Sequence, residues 1–386
     1  MLEAAVTWAE IDLDAISENV GAFQRHLGPQ VEIIAVVKAN AYGHGAVQVA
    51  RTVIESGATR LAVHRAVEGV ELRRSGIDAP ILVMGYTPPG GASQVVEWRL
   101  TSSVTTFEFA SALSALALGL GRRVPVHVKV DTGMNRYGLL PSEVMDFVSV
   151  LHTLPGIDIE GVFTHFATAD WENPFYVHQQ LAEFDRVLRS IRGAGMDVSL
   201  VHAANSAAAM RYPEARFNAV RPGIALYGLE PSGEWAPSFE IRPALTLKSK
   251  VSRLWHVEPG EGVGYGRTYI AQSRLLAALV PVGYGDGYHR ILSNRGSVLI
   301  WGQRAPIIGR VSMDQLVVDA SRVEGIQQDD EVVLIGTQGN ERIRAEDVAA
   351  LAGTINYEVT TSLLPRVLRV YRKKGEIVGI SSISEG

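Results

Sequence analysis

The sequence predicts an α/β protein, in which an N-terminal (β/α)8 barrel of the TIM type is followed by a C-terminal mostly-β domain. Between residues 32 and 228, eight short apolar runs alternate with longer segments whose apolar residues recur at spacings of three and four. After about Pro243 the helical spacing nearly vanishes, and strand-like runs follow one another with turn residues between them. We therefore expect a barrel domain over residues 8–240 and a β-rich domain over residues 241–386, which also takes in the first few N-terminal residues.

Each apolar run of the first half is a candidate barrel strand. Parallel strands need long crossover connections, which the intervening helical segments supply. A doubly wound open sheet is the alternative, because periodicity alone does not separate it from a closed barrel. The eight runs are EIIAVV (32–37), RLAV (60–63), PILVM (80–84), TSSVTT (101–106), PVHVKV (125–130), EGVFTH (160–165), VSLVH (198–202) and GIALYG (223–228).

The second half of the chain has strand-like runs of its own, with one helix-like segment, AEDVAALAG, before the final run. This succession is typical of a separate β-rich domain. The runs are LTLKSKVSRLWHV, LLAALVPV, SVLIWG, APIIGRVSM, QLVVDAS, EVVLIG and YEVTTSLLPRVLRVY.

The composition excludes several classes of function. With 47% apolar and 20% charged residues, the 386-residue chain can bury a large core. A net charge of -5 argues against a nucleic-acid or anionic-membrane partner, and the absence of cysteine excludes disulfides, a thiolate nucleophile and a cysteine-ligated zinc site. The ten histidines show no metal-binding spacing, so no metal is expected. The N-terminus lacks the features of a secretory signal and no apolar window reaches the length of a membrane span, so we expect a cytoplasmic protein.

Lys38 is the first candidate catalytic residue. It follows the first apolar run, in VVKANAYGHG, at the carboxyl end of a strand, and this end is the active face of such a barrel. Desolvation there favours the free amine, which can form a Schiff base. A solvated lysine at a strand end is the alternative, but the polar residues and glycines that follow it favour a ligand site.

Two segments, HAANSAAAM (202–210) and RPGIALYG (221–228), follow the seventh candidate strand and lead into the eighth. The loops around these strands are the usual phosphate site of the barrel. Asn205 and Ser206 are expected at a helix start, where free amides favour an anion. An ordinary helix cap is the alternative for both residues.

Two further segments carry candidate site residues. HVKVDTGMNRYG (127–138) places Lys129, Asp131 and Arg136 at the end of the fifth strand and in its loop. Three charges beside an apolar strand indicate a site, with a structural ion-pair network as the alternative. In GVGYGRTY (262–269), Tyr265 is framed by glycines, which favour an exposed ring in a tight loop over a tyrosine packed in the core.

Nine segments, spread from the first candidate strand to Val359, form an ordered set. They are AVVKANAYGHG, KVDTGMNRYG, GVFTHFATAD, HAANSAAAM, FNAVRPGIALYG, VGYGRTY, VGYGDGY, GRVSMDQ and TINYEV. Together they closely resemble the alanine racemase family, which has a pyridoxal-phosphate-binding barrel followed by a β-domain. The resemblance implies interconversion of L-alanine and D-alanine by a homodimer, in which the partner's second domain completes each active site. In a bacterium, the D-alanine would supply peptidoglycan.

The resemblance assigns the acid and base roles to Lys38 and Tyr265. Lys38 is implied to bind pyridoxal phosphate covalently and to act on one face of the substrate α-carbon. Tyr265, from the other subunit, is implied to act on the opposite face. Such a pair suits racemisation, because a proton must leave from one side and return on the other once the cofactor has made it acidic. The resemblance implies that the tyrosine takes the proton of L-alanine and the lysine that of D-alanine.

Further residues match family positions around the cofactor. Arg221 is implied to face the pyridine nitrogen, and His165 to hydrogen-bond Arg221. An arginine keeps its proton, so it cannot protonate the ring as an aspartate would, which should suppress side reactions such as transamination. The implied phosphate contacts are Tyr42, Ser206, Gly223, Ile224 and Tyr357, with Asn205 beside them.

Other matching positions concern the substrate. Arg136 and the backbone of Met313 are implied to contact its carboxylate. Lys129 corresponds to a lysine that is carbamylated in many members of the family, where the negative charge would orient Arg136. Tyr284 resembles a gate residue that narrows the entrance to the site.

Two positions depart from the family pattern, and several related activities compete with the main interpretation. His64 stands where a small residue is usual, at the end of the second strand, where it either alters the shape of the pocket or only covers its margin; we expect the second. Gly285 stands where alanine is common, and we expect this change to be harmless. A decarboxylase of basic amino acids typically brings a cysteine across its dimer interface, and this chain has none. A serine or broad-range racemase is harder to separate, because a small site discriminates weakly against one hydroxyl. A non-catalytic pyridoxal-phosphate carrier keeps Lys38 but lacks a second domain with the motif around Tyr265.

Overall fold

The structure is a computed structural model that describes residues 4–381. The described chain divides into two compact units. The barrel unit comprises Ile16–Ala41 and Ala46–Arg242, and the β unit comprises residues 4–15, Tyr42–Gly45 and residues 243–381. Within these described residues no helix has the length and apolar character needed to cross a membrane.

The barrel unit is built on a closed barrel of eight parallel strands. The first and last strands close it, where Glu32 pairs with Ala219 and Ile33 with Val220. The predicted barrel is therefore confirmed, and the open sheet is excluded because an open sheet would leave these two strands unpaired. The strands are Glu32–Val36, Arg60–Val63, Ile81–Val83, Thr101–Val104, Val124–Lys129, Ile157–Phe163, Leu200–His202 and Ala219–Val220.

Helices connect the barrel strands, and their sequences explain where they form. In Phe175–Gly193 the buried apolar residues recur three and four positions apart, so that one face of the helix is covered. Thr106 caps the helix Phe107–Gly119 by accepting a hydrogen bond from the Phe109 amide. The helices are Leu13–Leu27, Ala46–Glu55, Ala66–Arg74, Ala92–Glu97, Phe107–Gly119, Val144–His152, Phe175–Gly193 and Ser206–Arg211, with 3-10 turns at Pro89–Gly91, Pro213–Ala215 and Ile224–Tyr227.

The prediction of the eighth strand at GIALYG is wrong. The strand is Ala219–Val220, and the predicted run instead forms the 3-10 turn Ile224–Tyr227. Two features stop the strand. Pro222 has no N–H to add to a ladder, and the amide groups of Gly223 and Ala225 donate to the hydroxyl of Ser206 rather than to a neighbouring strand.

The β unit contains three sheets, and the N-terminal strand lies inside the largest. Thr7–Asp12 pairs antiparallel with Leu245–Lys250 and parallel with Leu368–Lys373. The eight-stranded sheet also holds Ser297–Ile300, Gln303–Pro306, Glu331–Gln338, Glu341–Ile343 and Glu376–Ser381. The three-stranded sheet holds Arg253–Val257, Leu275–Val280 and Leu316–Asp319, and the two-stranded sheet holds Gly262–Val263 and Tyr269–Ile270.

The β unit has one more helix than the sequence pattern predicts. Ala345–Ala352 is the expected helix, but Asn356–Thr361 is also helical, and all of it except Asn356 lies in the run interpreted as a strand. The β-branched residues of NYEVTT resemble a strand, whereas in the fold Val359 and Thr360 are buried on one side of a short helix. The strand of that run begins only at Leu368, and the unit also has 3-10 turns at Tyr265–Arg267 and Arg290–Leu292.

Candidate active site

A left-handed turn follows the first barrel strand and carries Lys38. Four consecutive residues, 39 to 42, have φ near 52°, a conformation that costs a residue with a side chain about 1–2 kcal/mol. Two side chains hold the turn: Asn40 Oδ1 accepts from the Ala46 amide at 2.8 Å, and Glu68 Oε1 accepts from the Ala39 amide at 2.7 Å. The turn is therefore imposed by its surroundings, and it fixes the backbone directly after Lys38.

The electrostatic surroundings of Lys38 favour its neutral amine. Burial lowers the pKa of Lys38, the positive charge of Arg136 lowers it further, and the carboxylate of Glu68 opposes both effects. His64 lies close enough to respond to the same charge, since burial and Lys38 both lower the pKa of the imidazole. Lys38 thus combines a fixed backbone with an amine that loses its proton more easily than an ordinary lysine.

Arg221, directly after the eighth strand, is buried and held on several sides. Its Nη1 donates to Nδ1 of His202 at 2.6 Å and to the His202 carbonyl at 3.0 Å. Its Nη2 donates to the carbonyls of Thr164 and Ala203 at 2.7 and 3.0 Å, and to Nδ1 of His165 at 3.3 Å. Among the described residues no acceptor takes the Nε proton, so one donor of the guanidinium remains available.

The groups around Arg221 keep it charged and keep the histidines neutral. Burial lowers the pKa of Arg221 to about 9, which leaves the guanidinium protonated at neutral pH. Burial and the charge of Arg221 hold the pKa values of His165 and His202 well below the usual range. Both imidazoles present an Nδ1 lone pair to the arginine, because a guanidinium can only donate.

Lys129 is a second buried lysine, at the end of the fifth strand. Its Nζ lies 4.9 Å from the centre of the Phe163 ring, and the guanidinium carbon of Arg221 lies 5.2 Å from the same ring. Burial, together with the charges of Arg221 and Arg136, lowers the pKa of Lys129 to about 7. A substantial fraction of this lysine is therefore a free amine near neutral pH.

The loop after the fifth strand is organised by Asp131. Its carboxylate accepts hydrogen bonds from the amides of Gly133, Asn135 and Arg136, each at 3.0 Å. The sequence left a structural ion-pair network of Lys129, Asp131 and Arg136 as an alternative. In the part of the chain that the structure describes, no salt bridge joins these three residues. The exposed guanidinium of Arg136 makes no side-chain hydrogen bond within that part.

The loops after the seventh and eighth strands bring backbone donors together. Asn205 caps the short helix Ser206–Arg211 by accepting from the Ala208 amide at 3.0 Å, as its capping alternative predicts. Ser206 Oγ accepts from the amide of Gly223 at 2.8 Å. The neighbouring amide of Ile224 donates to no described group, although Ile224 is buried. The arrangement offers the Ser206 hydroxyl and the backbone N–H of Ile224 to an anion.

The remaining predicted site residues lie in the β unit. The rings of Tyr42 and Tyr357 are 6.1 Å apart, and burial raises the pKa of Tyr42. Tyr265 is 73% exposed, in a turn whose flanking glycines both have φ near 70°. Tyr284 and Met313 lie on adjacent loops, since the Tyr284 amide donates to the Ser312 carbonyl at 3.1 Å.

Comparison with known proteins gives one consistent result over nearly the whole chain. The family described as "Alanine racemase, N-terminal domain" matches residues 11–231, and "Alanine racemase, C-terminal domain" matches residues 244–371. The chain belongs to the alanine racemase family. It is accordingly an isomerase of the amino-acid racemase type.

Individual alanine racemases are similar to the chain in sequence and in structure. The enzyme of Desulforamulus reducens is 45% identical over 94% of this chain and 98% of its own length, and that of Halothermothrix orenii is 44% identical over 95% and 97%. The crystal structure of the Bacillus anthracis alanine racemase with bound L-Ala-P has a TM-score of 0.93 and 41% identity, covering 98% of each chain. A histidine racemase from Leuconostoc mesenteroides has a TM-score of 0.89 and 30% identity over 96% of this chain and 99% of its own.

Two side chains in the racemase barrel were missed by sequence reasoning. His202 makes the shorter of the two imidazole contacts to Arg221, yet only His165 was singled out. Glu68 holds the turn after Lys38, although nothing in its helical pattern marks it as different from its neighbours. A signal existed for His202, since it is a polar residue ending an otherwise apolar strand that is covered on both faces.

Proposed function

We propose that the chain is a pyridoxal-phosphate-dependent alanine racemase that interconverts L-alanine and D-alanine. The observation that carries the proposal is the buried Arg221, whose Nη atoms are committed to fixed acceptors while its Nε proton is not. Such a donor suits a ring nitrogen with a lone pair. The similarity of both halves of the chain to alanine racemases supports this reaction.

The residues present fit the cofactor. Lys38 supplies an amine with a lowered pKa for covalent attachment, and Arg221 supplies the donor for the pyridine nitrogen. The hydroxyl of Ser206 and the amide of Ile224 offer the phosphate site, beside the Gly223 amide that donates to Ser206. Asn205 supports that site as a cap, and Tyr42, Tyr357 and His165 complete the proposed set. The bound cofactor makes the α-hydrogen of the amino acid acidic.

Lys38 and Tyr265 are proposed as the two acid/base groups. One group removes the α-proton from one face of the α-carbon, and the other group delivers a proton to the opposite face. This inverts the centre. Tyr265 would be contributed by a second copy of the chain, in a homodimer with shared active sites. The 73% exposure of its ring in the single chain supports a role outside that chain's own core.

The substrate carboxylate is proposed to bind Arg136 and the backbone amide of Met313. The guanidinium of Arg136 and the N–H of Met313 donate to no described group, which leaves both for a ligand. Carbamylation of Lys129 is proposed because its pKa of about 7 provides the neutral amine that reacts with carbon dioxide. Tyr284 is proposed as the gate, and it lies beside Met313 on the adjacent loop.

The deciding experiment is to incubate the holoenzyme with pure L-alanine and to quantify D-alanine by chiral chromatography. We expect an equal mixture, reached also from D-alanine. L-serine is tested in parallel because it differs from alanine by one hydroxyl. L-histidine is tested because a relative 30% identical to the chain is a histidine racemase. Inversion of serine or histidine at a higher kcat/KM than alanine would replace the alanine proposal by a broader racemase. Bound cofactor without inversion of any of the three would contradict a racemase.

A further inference from the structure

A hydrogen-bonded network of side chains runs from Arg221 through the barrel interior. Nη1 of Arg221 lies 2.6 Å from Nδ1 of His202, and Nε2 of His202 lies 2.8 Å from Nδ1 of His127. Nε2 of His127 lies 3.0 Å from Oε2 of Glu160, whose Oε1 accepts from Arg60 at 2.7 Å. His127 and His202 are both almost completely buried. The network therefore joins the guanidinium of Arg221 at one end to an ion pair at the other through two imidazoles.

The hydrogen bonds of this network have only one consistent direction. Arg221 can only donate, so Nδ1 of His202 accepts and the neutral ring carries its proton on Nε2. That proton is donated to Nδ1 of His127, which places the second ring's proton on Nε2, facing the carboxylate of Glu160. A proton on Nδ1 of His127 would oppose the one on His202. Burial lowers the pKa of both imidazoles, in agreement with two neutral rings.

The backbone makes room for His127 and Glu160 by two local departures from regular structure. The register between the fifth and sixth strands shifts, so that Ile159 pairs with Val126 and Gly161 with His127, which leaves Glu160 as an extra residue. Bulges are rare between parallel strands, and they redirect a side chain. At Gly161, a Cβ would come within 2.8 Å of the His127 ring. Both features bring the imidazole and the carboxylate together.

We propose that His127 is a positioning residue for racemisation, which fixes the tautomer of His202 and thereby the orientation of Arg221. Its effect on turnover rests on the proposed function, whereas its effect on the tautomer does not. Without an acceptor at position 127, the Nε2 proton of His202 is buried and unsatisfied. The ring can then place its proton on Nδ1, where it opposes the Nη1 donor of Arg221 at 2.6 Å. The guanidinium must turn away from the position that its contacts now define.

The test compares two substitutions of nearly equal shape, His127→Asn and His127→Leu. The asparagine oxygen can accept from His202, whereas the leucine methyl group cannot. We expect His127→Leu to lower kcat about tenfold with KM little changed, as for the loss of one buried hydrogen bond, and His127→Asn to recover most of that loss. His178→Leu is the matched control, because His178 also contacts a glutamate, but on the surface.

A second readout does not depend on activity. In 15N-histidine-labelled holoenzyme, nitrogen chemical shifts distinguish the two neutral tautomers and the imidazolium form. We expect His127 and His202 of the unsubstituted protein to carry their protons on Nε2, and His202 to lose this pattern in His127→Leu but not in His127→Asn. An imidazolium or an Nδ1–H tautomer at either residue in the unsubstituted protein would overturn the proposal, even if no variant folds. Equal kcat values for the two variants would overturn it as well, and a protein without racemase activity would still give the tautomer result.

Discussion

Oε1 of Glu68 accepts a hydrogen bond from the backbone amide of Ala39 at 2.7 Å, so a side chain in the helix after the second barrel strand holds the residue next to Lys38. The other oxygen of Glu68 accepts from the amides of His64 and Arg65, each at 2.8 Å. One carboxylate thus ties the end of the second strand to the left-handed turn after the first. Its charge also raises the pKa of Lys38, against the effect of burial.

The substitution Glu68→Gln should destabilise the barrel. An amide keeps one acceptor oxygen for Ala39 but turns an NH2 group toward the amides of His64 and Arg65, which then lose their acceptor. We expect the free energy of unfolding to fall by about 1–3 kcal/mol, as for the loss of hydrogen bonds to a charged group. Urea titration at constant protein concentration measures this change.

Glu71→Gln is the control, because Glu71 lies on the same helix with an exposed side chain. This variant removes the same charge as Glu68→Gln, but the side chain of Glu71 makes no hydrogen bond to the turn. An equal loss of stability in both variants would mean that helix charge, rather than the contact to Ala39, carries the effect.

The sequence predicted the elements whose pattern is local and repeated, and it failed where a distant partner decides. The helical spacing of Phe175–Gly193 and the cap at Asn205 both depend on neighbours in the chain. The eighth strand was misplaced because GIALYG is as apolar as a strand, while Ser206 takes its amide hydrogens from another loop. The helix Asn356–Thr361 was missed because β-branched residues favour a strand until tertiary packing overrides them.

The site shows the same division. Lys38 was predicted from its place at the carboxyl end of a strand, the active face of such a barrel, and Arg221 from the resemblance to the family. The hydrogen bond between His202 and His127 was not predicted, because it connects strands five and seven across the interior. The left-handed turn after Lys38 was also not predicted, since Ala39 has no intrinsic preference for positive φ.

Gly45→Ala should be strongly destabilising, because two separate constraints meet at Gly45. Its φ is 97°, and a Cβ there would lie 1.8 Å from the hydroxyl oxygen of Tyr371 in the same unit. We expect a loss of more than about 3 kcal/mol in the free energy of unfolding, from backbone strain and steric overlap together. Gly28→Ala separates the two causes, because Gly28 has φ of 78° with open space around its Cβ position. A loss at Gly45 no larger than at Gly28 would exclude the overlap with Tyr371.

Stability should rise with pH because of Lys129, in buffer free of carbon dioxide. The pKa of Lys129 is about 7 in the folded protein against an ordinary 10.5, so between these values the unfolded chain binds a proton that the folded chain does not. Raising the pH removes this advantage of the unfolded chain. We expect the unsubstituted protein to gain up to about 1.4 kcal/mol per pH unit from this group between pH 7 and 9, relative to Lys129→Met.

Lys248→Met is the control for that measurement. Nζ of Lys248 lies 3.3 Å from Glu10 and 2.9 Å from Glu331, so its charge is compensated in the folded protein. Its removal should leave the pH dependence between 7 and 9 unchanged. The same slope in the unsubstituted protein and in Lys129→Met would show that the buried amine is protonated in the fold.

The two-base assignment predicts that Tyr265→Phe separates inversion from proton exchange. If Tyr265 serves the L face and Lys38 the D face, the variant retains the lysine and can still remove the α-proton of D-alanine and return a deuteron to the same face. In D2O, we expect the α-proton NMR signal of D-alanine to disappear without formation of L-alanine, whereas L-alanine keeps its α-proton. Racemisation should fall by about 10²–10⁴-fold, as for the loss of a general acid/base. Tyr269→Phe, in the neighbouring strand Tyr269–Ile270, should behave as the unsubstituted enzyme. Exchange of L-alanine but not D-alanine would reverse the two roles, and loss of exchange from both would mean that Lys38 cannot act alone on either face.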